Sequence, residues 1–125
     1  MNKLAILESG EMYLETLYRL SLRSNAVRAI DLGEEMGFSK PSVSRAVGIL
    51  KKDGLMETNE DGFLVLTEAG RARAEKIYER HTVLTKLFVS LGVDEKTAAE
   101  DACRIEHYLS DTTFEALKAH AKKYE

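Results

Sequence analysis

Apolar side chains recur at helical spacing from the start of the chain. In "ESGEMYLETLYRLSLR" the positions Met12, Tyr13, Leu17 and Leu20, flanked by Leu14, Tyr18 and Leu22, form one broad stripe. That stripe predicts a helix from near Glu8 to about Ser24. "AVRAIDLGEEMGF" predicts a short helix closed by Gly37. "SKPSVSRAVGILKKDG" predicts another, with Ser39 as N-cap, Pro41 in the first turn, Val43, Val47 and Leu50 facing inward, and Gly54 as the stop. The apolar runs "LMET" and "FLVLT" are joined by "NEDG", and Asp-Gly between such runs signals a β-hairpin. Thr67 and Glu68 open a long helical pattern that runs to Leu91 and stops at Gly92. At 1.5 Å per residue, its roughly 25 residues span about 37 Å. Asp94 is positioned to cap a further helix through about Leu109, and Asp111 a last one, "TTFEALKAHAKKY".

The predicted fold class is therefore mainly α. Two helices joined by a short glycine-containing turn and followed by a hairpin have the order of a winged helix-turn-helix with a short two-stranded β-wing. A helical domain follows, with the division expected at residues 1–70 and 71–125. The second helix of the pair would be the recognition helix. Ser39, Lys40, Pro41, Ser42, Ser44 and Arg45 stand at its N-terminal end, and Arg28 precedes the pair; these are the candidate DNA contacts. Short hydroxyls allow close approach to phosphate, helix N-terminal amides favour anions, and arginine can pair bidentately with guanine. The same serines could also serve only as caps. The wing tip "NEDG" is acidic and makes a poor phosphate clamp.

Composition narrows the class. The 125 residues are 44% hydrophobic and 31% charged, an ordinary globular balance. No apolar run approaches the ~18 residues of a membrane span, and the N-terminus has no h-region of a signal peptide. A lone cysteine cannot form an internal disulfide, so a reducing cytoplasm is expected. The formal net charge is −3. Between Arg19 and Lys52, however, seven basic residues stand against three acids, a local +4. Phosphate binding needs such a local surface rather than a basic protein.

"CRIEHYL" sets that lone Cys103 three and four residues before Glu106 and His107. On a helix these positions share one face, and a thiol, a carboxylate and an imidazole would converge. Nucleophilic catalysis would also need an oriented base, an oxyanion hole and a cleft, none of which the sequence supplies, so no enzyme is expected. A metal site needs only further donors. His81 lies midway along the long helix, and Met12 and Glu15 share a face of the first. Singly, each of these residues also fits a core or surface role.

Taken together, the segments "EMYLETLYRL", "SKPSVSRAVGILKKDGL", "LTEAGRARAEKIYERH" and "VDEKTAAEDACRIEHYLSD" resemble the diphtheria toxin repressor and manganese transport regulator family. These are metal-activated bacterial repressors, and the resemblance covers almost the whole chain. It implies a helical metal-binding and dimerisation domain after the winged helix-turn-helix. It also implies metal ligands at Met12, His81, Cys103, Glu106 and His107, with Glu15 a further candidate. Sulfur donors like Met12 and Cys103 resemble the iron-responsive branch, which commonly adds a C-terminal SH3-like domain for which 125 residues leave no room. That branch's ancillary site has a glutamate and a second histidine where this chain has Thr85 and Ala99. The manganese branch is short like this chain but carries acids in place of Met12 and Cys103.

The expected function is thus a homodimeric repressor that binds operator DNA with an inverted repeat. A divalent cation, Fe²⁺ favoured and Mn²⁺ next, would bridge its two lobes; Co²⁺, Ni²⁺ or Zn²⁺ could substitute in vitro. One rival is a winged-helix regulator sensing an organic ligand or Cys103 oxidation. Another is a metal-dependent enzyme or metal buffer whose helix-turn-helix is a bystander.

Overall fold

The chain divides into two units, one ending at Glu75 and the other beginning at Lys76. A computed structural model describes residues 3–123, with side chains from residue 10 onward. Its described elements are α1 (Lys3–Ser21), α2 (Ala29–Met36), α3 (Lys40–Lys52), β1 (Met56–Thr58), β2 (Leu64–Leu66), α4 (Glu68–Ser90), α5 (Glu95–Ile105) and α6 (Asp111–Lys123). The order is that of a winged helix-turn-helix followed by a helical unit, as the sequence pattern predicts. Tyr124, expected in the last helix, lies outside the described residues.

In the first unit, Tyr13, Leu14 and Leu17 of α1, Leu32 of α2, and Val43, Val47 and Leu50 of α3 are all buried, with Val27, Met56, Leu64 and Ala74 completing the core. α1 starts at Lys3, before the expected Glu8, and ends at Ser21. Leu22 lies beyond the helix and is exposed, so the apolar stripe is shorter than its sequence suggests. Gly37 closes α2 in the left-handed conformation at φ 71°, where a side chain would be strained. Ser39 caps α3 through its side-chain oxygen, which accepts from the Ser42 amide.

The wing is a short antiparallel pair with Met56 opposite Leu66 and Thr58 opposite Leu64. Asp-Gly does not make a two-residue turn here. The Asn59 amide donates to the Phe63 carbonyl and the Gly62 amide to the Asn59 carbonyl, with Gly62 at φ 84°. That is a three-residue loop with the glycine in the left-handed position. The Asn59 side chain accepts from the amides of Asp61 and Phe63, and this shapes the longer loop.

Thr67 joins wing to helix. Its hydroxyl accepts from the Gly70 amide at 3.0 Å, capping α4, and donates to the Gly54 carbonyl at 2.7 Å. Gly70 is required by close approach, since a Cβ there would lie 1.9 Å from the Leu55 carbonyl oxygen.

In the second unit Ile77, Leu84, Ala98, Ala102 and Phe114 are buried. The fully buried alanines let α5 pack closely. Two helix ends differ from expectation. α5 stops at Ile105 rather than near Leu109, and residues 106–108 form a turn. Ser110 rather than Asp111 caps α6, accepting from the Thr113 amide at 3.1 Å, while Asp111 is the first helical residue. No described helix is long and apolar enough to cross a membrane.

Candidate metal centre and nucleic-acid interface

The metal candidates in the second unit lie on two elements. α4 carries His81, and the end of α5 with its following turn carries Cys103, Glu106 and His107. Glu106 is only 1% exposed, although glutamate is rarely buried without partners. The Nδ1 of His81 lies 3.0 Å from its Oε2, and the Nε2 of His107 lies 3.5 Å from its Oε1. One carboxylate is therefore flanked by two imidazoles on its two oxygens. In the tautomer with its proton on Nδ1, His81 donates to Glu106 and keeps a lone pair on Nε2. His81 and Glu106 each present a ligand atom close enough to serve one ion. Oxygen and imidazole nitrogen in a water-poor setting are the donors that first-row divalent cations take. The residues fit such an ion.

The helical-face argument for "CRIEH" holds only in part. Glu106 terminates α5 at φ −60° and ψ −25°, and its amide still bonds the Ala102 carbonyl. The helix ends there. His107 belongs to the turn, where the Tyr108 amide reaches back only three residues, to Ile105. Cys103 is a free, half-buried thiol. Among the described residues it does not join His81 and Glu106 in a set of mutually close donor atoms. Thr85 puts a buried hydroxyl without a hydrogen-bond partner one turn beyond His81, and Ala99, whose methyl offers no donor atom, is half-buried.

In the first unit, α1 carries Met12, half-buried, and Glu15, which is 6% exposed. Arg19, one turn on, donates to the Glu15 carboxylate at 3.2 Å.

Arg80 is the residue that the sequence did not single out. It sits beside His81 and is 6% exposed. Its Nη1 donates to the carbonyls of Glu106 at 3.0 Å and Leu109 at 2.6 Å, and its Nη2 to Asp111 at 2.7 Å. Its guanidinium also lies 5.3 Å from the centre of the Phe114 ring. Asp111 accepts from Lys76 as well, at 2.7 Å. The Lys76 ammonium first, and Arg80 after it, hold the Asp111 carboxyl below its usual range.

The nucleic-acid candidates lie at the N-terminal end of α3. Ser39, Lys40, Pro41, Ser42, Ser44 and Arg45 are all exposed. Ser39 and Ser42 bond each other through their hydroxyls at 2.9 Å, so their first role is local capping. Arg28 is exposed just before α2, 5.5 Å from the centre of the Phe63 ring in the wing.

Comparison with known proteins extends this picture. Residues 5–64 match the N-terminal DNA-binding domain of the iron-dependent repressors, and residues 67–125 match their metal-binding and dimerisation domain. The chain belongs to the iron-dependent repressor family. An uncharacterized helix-turn-helix-type transcriptional regulator of Methanocaldococcus jannaschii is 33% identical over 94% of this chain and 95% of its own length. The diphtheria toxin repressor of Corynebacterium efficiens is 32% identical over 85% of this chain, and iron-dependent repressor IdeR of Mycobacterium tuberculosis 34% over 89%. This chain spans just under half the length of those two repressors, 46% and 48%. Among solved structures, the manganese regulator SloR superposes with a TM-score of 0.80 at 28% identity, over 90% of this chain and 53% of that one. A manganese-dependent transcriptional repressor in complex with manganese superposes at 0.83 with 25% identity, over 90% and 52%. The family is one of metal-dependent transcriptional repressors that bind DNA and dimerise.

Proposed function

We propose that this chain works as a homodimer that binds an inverted-repeat operator when it holds a divalent cation, with Fe²⁺ favoured over Mn²⁺. The observation that carries this is the interior carboxylate of Glu106 with an imidazole at each oxygen. An ionised glutamate so removed from water is costly unless a positive charge or strong donors accompany it, and a cation supplies that charge. The proposed ligands are Met12, Glu15, His81, Cys103, Glu106 and His107. The proposed DNA contacts are Arg28, Ser39, Lys40, Pro41, Ser42, Ser44 and Arg45.

Met12 and Glu15 belong to the DNA-binding unit, the other four ligands to the dimerising one. An ion bonded to donors from both would couple metal binding to the placement of the recognition helices. It shifts that equilibrium by its differential affinity for the two states.

Titration of operator binding against Fe²⁺, Mn²⁺, Co²⁺ and Zn²⁺ under anaerobic, reducing conditions tests this proposal. A footprint that appears with metal and disappears with chelator is expected. Binding indifferent to both would overturn it.

A further inference from the structure

We infer that Arg80 is a positioning residue of the metal centre, locking the turn that presents Glu106 and His107. This rests on the metal-binding role proposed above. Helix α5 ends at Ile105 with its last carbonyls lacking partners inside the helix, as every helix end must. Those carbonyls are the handles by which something outside the helix can fix the following turn. Arg80 acts just past that end: with a single nitrogen it bonds the carbonyl of Glu106, the residue that closes α5, and that of Leu109, beyond the turn. The segment between them contains His107.

The guanidinium is in turn held from two further sides. Asp111, at the start of α6, accepts from Nη2, and the Phe114 ring one turn later lies beside it. Lys76, one turn before Arg80 on α4, shares the same Asp111 oxygen. The arginine thus connects α4, the end of α5 and the start of α6 through a rigid planar group. Its Nε is buried without a hydrogen-bond partner.

The consequence for the centre follows from geometry. His81 is fixed by α4, but Glu106 sits at a helix terminus and His107 in a turn, where backbone frays most easily. A ligand set is only as well formed as its least fixed member. Groups that orient metal ligands from outside typically change metal affinity about 10–100-fold when removed. Lysine is a poor substitute, because its single point charge cannot hold two carbonyls and a carboxylate in one plane.

Two measurements on the whole chain test the inference, each made on Arg80→Met, Arg80→Lys and Asp111→Asn. In metal-free protein, amide hydrogen exchange at residues 106–109 should accelerate in Arg80→Met while exchange in the middle of α4 stays slow. Co²⁺ affinity, read from its visible absorption, should fall about tenfold or more. Arg80→Lys should recover part of both losses. Asp111→Asn, which keeps the carbonyl bonds, should show a smaller loss in the same direction, and it carries the test if Arg80→Met does not fold.

Lower thermal stability with unchanged Co²⁺ affinity and unchanged exchange at 106–109 would make Arg80 structural only and overturn the inference. His107→Ala separates this from failure of the underlying site. If that variant binds Co²⁺ as wild type does, the metal proposal fails; if it loses Co²⁺ while Arg80→Met does not, only the positioning role fails.

Discussion

The Nδ1 of His81 lies 3.0 Å from Oε2 of Glu106, although 25 residues separate them in the chain. The pairing orients the imidazole and satisfies one oxygen of an otherwise interior carboxylate. Metal-binding histidines are commonly oriented through their second nitrogen in this way.

Glu106→Gln tests the centre with little change of shape. The amide keeps the volume of a buried side chain, so the helical signal and the thermal midpoint should stay close to wild type. The anionic donor is gone, and metal-dependent operator binding should disappear. Wild-type metal dependence in this variant, measured by titrated footprinting, would show that Glu106 is not a ligand.

At the start of α3, Arg45 and Lys40 should behave differently. Arg45→Ala should cost about 1–3 kcal/mol of operator affinity and relax specificity at one base position, the signature of a lost bidentate pair. Lys40→Ala should weaken all sequences alike and flatten the salt dependence. Identical profiles across operator variants and salt would mean that the roles of reading and positioning are misassigned.

Gly70→Ala should destabilise the DNA-binding unit by about 1–3 kcal/mol or more, the usual cost of forced overpacking. The added methyl would meet the backbone carbonyl of Leu55, which cannot rotate away as a side chain could. Denaturant unfolding measures the loss. Gly48→Ala, with open space around its Cβ and a helical site, should be neutral or stabilising.

Acid should weaken the second unit through Asp111 and Asp94. The carboxyl of Asp111 is held down chiefly by Lys76, and that of Asp94 by the Thr97 amide it caps. A folded pKa below the unfolded one means that these groups stabilise above the unfolded value of about 4. Their contribution fades as pH falls through the depressed pKa. Thermal midpoints between pH 6 and 2 should therefore drop, and Asp111→Asn should drop less steeply than wild type over the same range.

Metal choice should follow the sulfur donors. Thioether and thiolate favour ions later in the first-row series, whereas Mn²⁺ prefers oxygen and binds weakest. Fe²⁺ should activate at lower free concentration than Mn²⁺. Replacing both sulfurs, Met12→Asp with Cys103→Glu, should move the preference toward Mn²⁺. An unchanged ranking in DNA-binding titrations would show that Met12 and Cys103 do not set selectivity.

The sequence by itself determined whatever depends on neighbours within about one helical turn. Ser39 as cap, Val43, Val47 and Leu50 as the inner face of α3, and Gly37 and Gly92 as stops could all be read from spacing, because periodic burial and capping are local. His81, Glu106 and His107 were legible as candidates from their residue types and from family resemblance. Tertiary packing decided how they meet. α5 ends at Ile105 and Ser110 caps α6, and Arg80 bonds the carbonyls of Glu106 and Leu109 and the Asp111 carboxylate between those two ends. Those partners lie 26 to 31 residues away. No local pattern separates such an arginine from the solvated charges around it in "YERHTVL". Its burial exists only once three helices have come together around it.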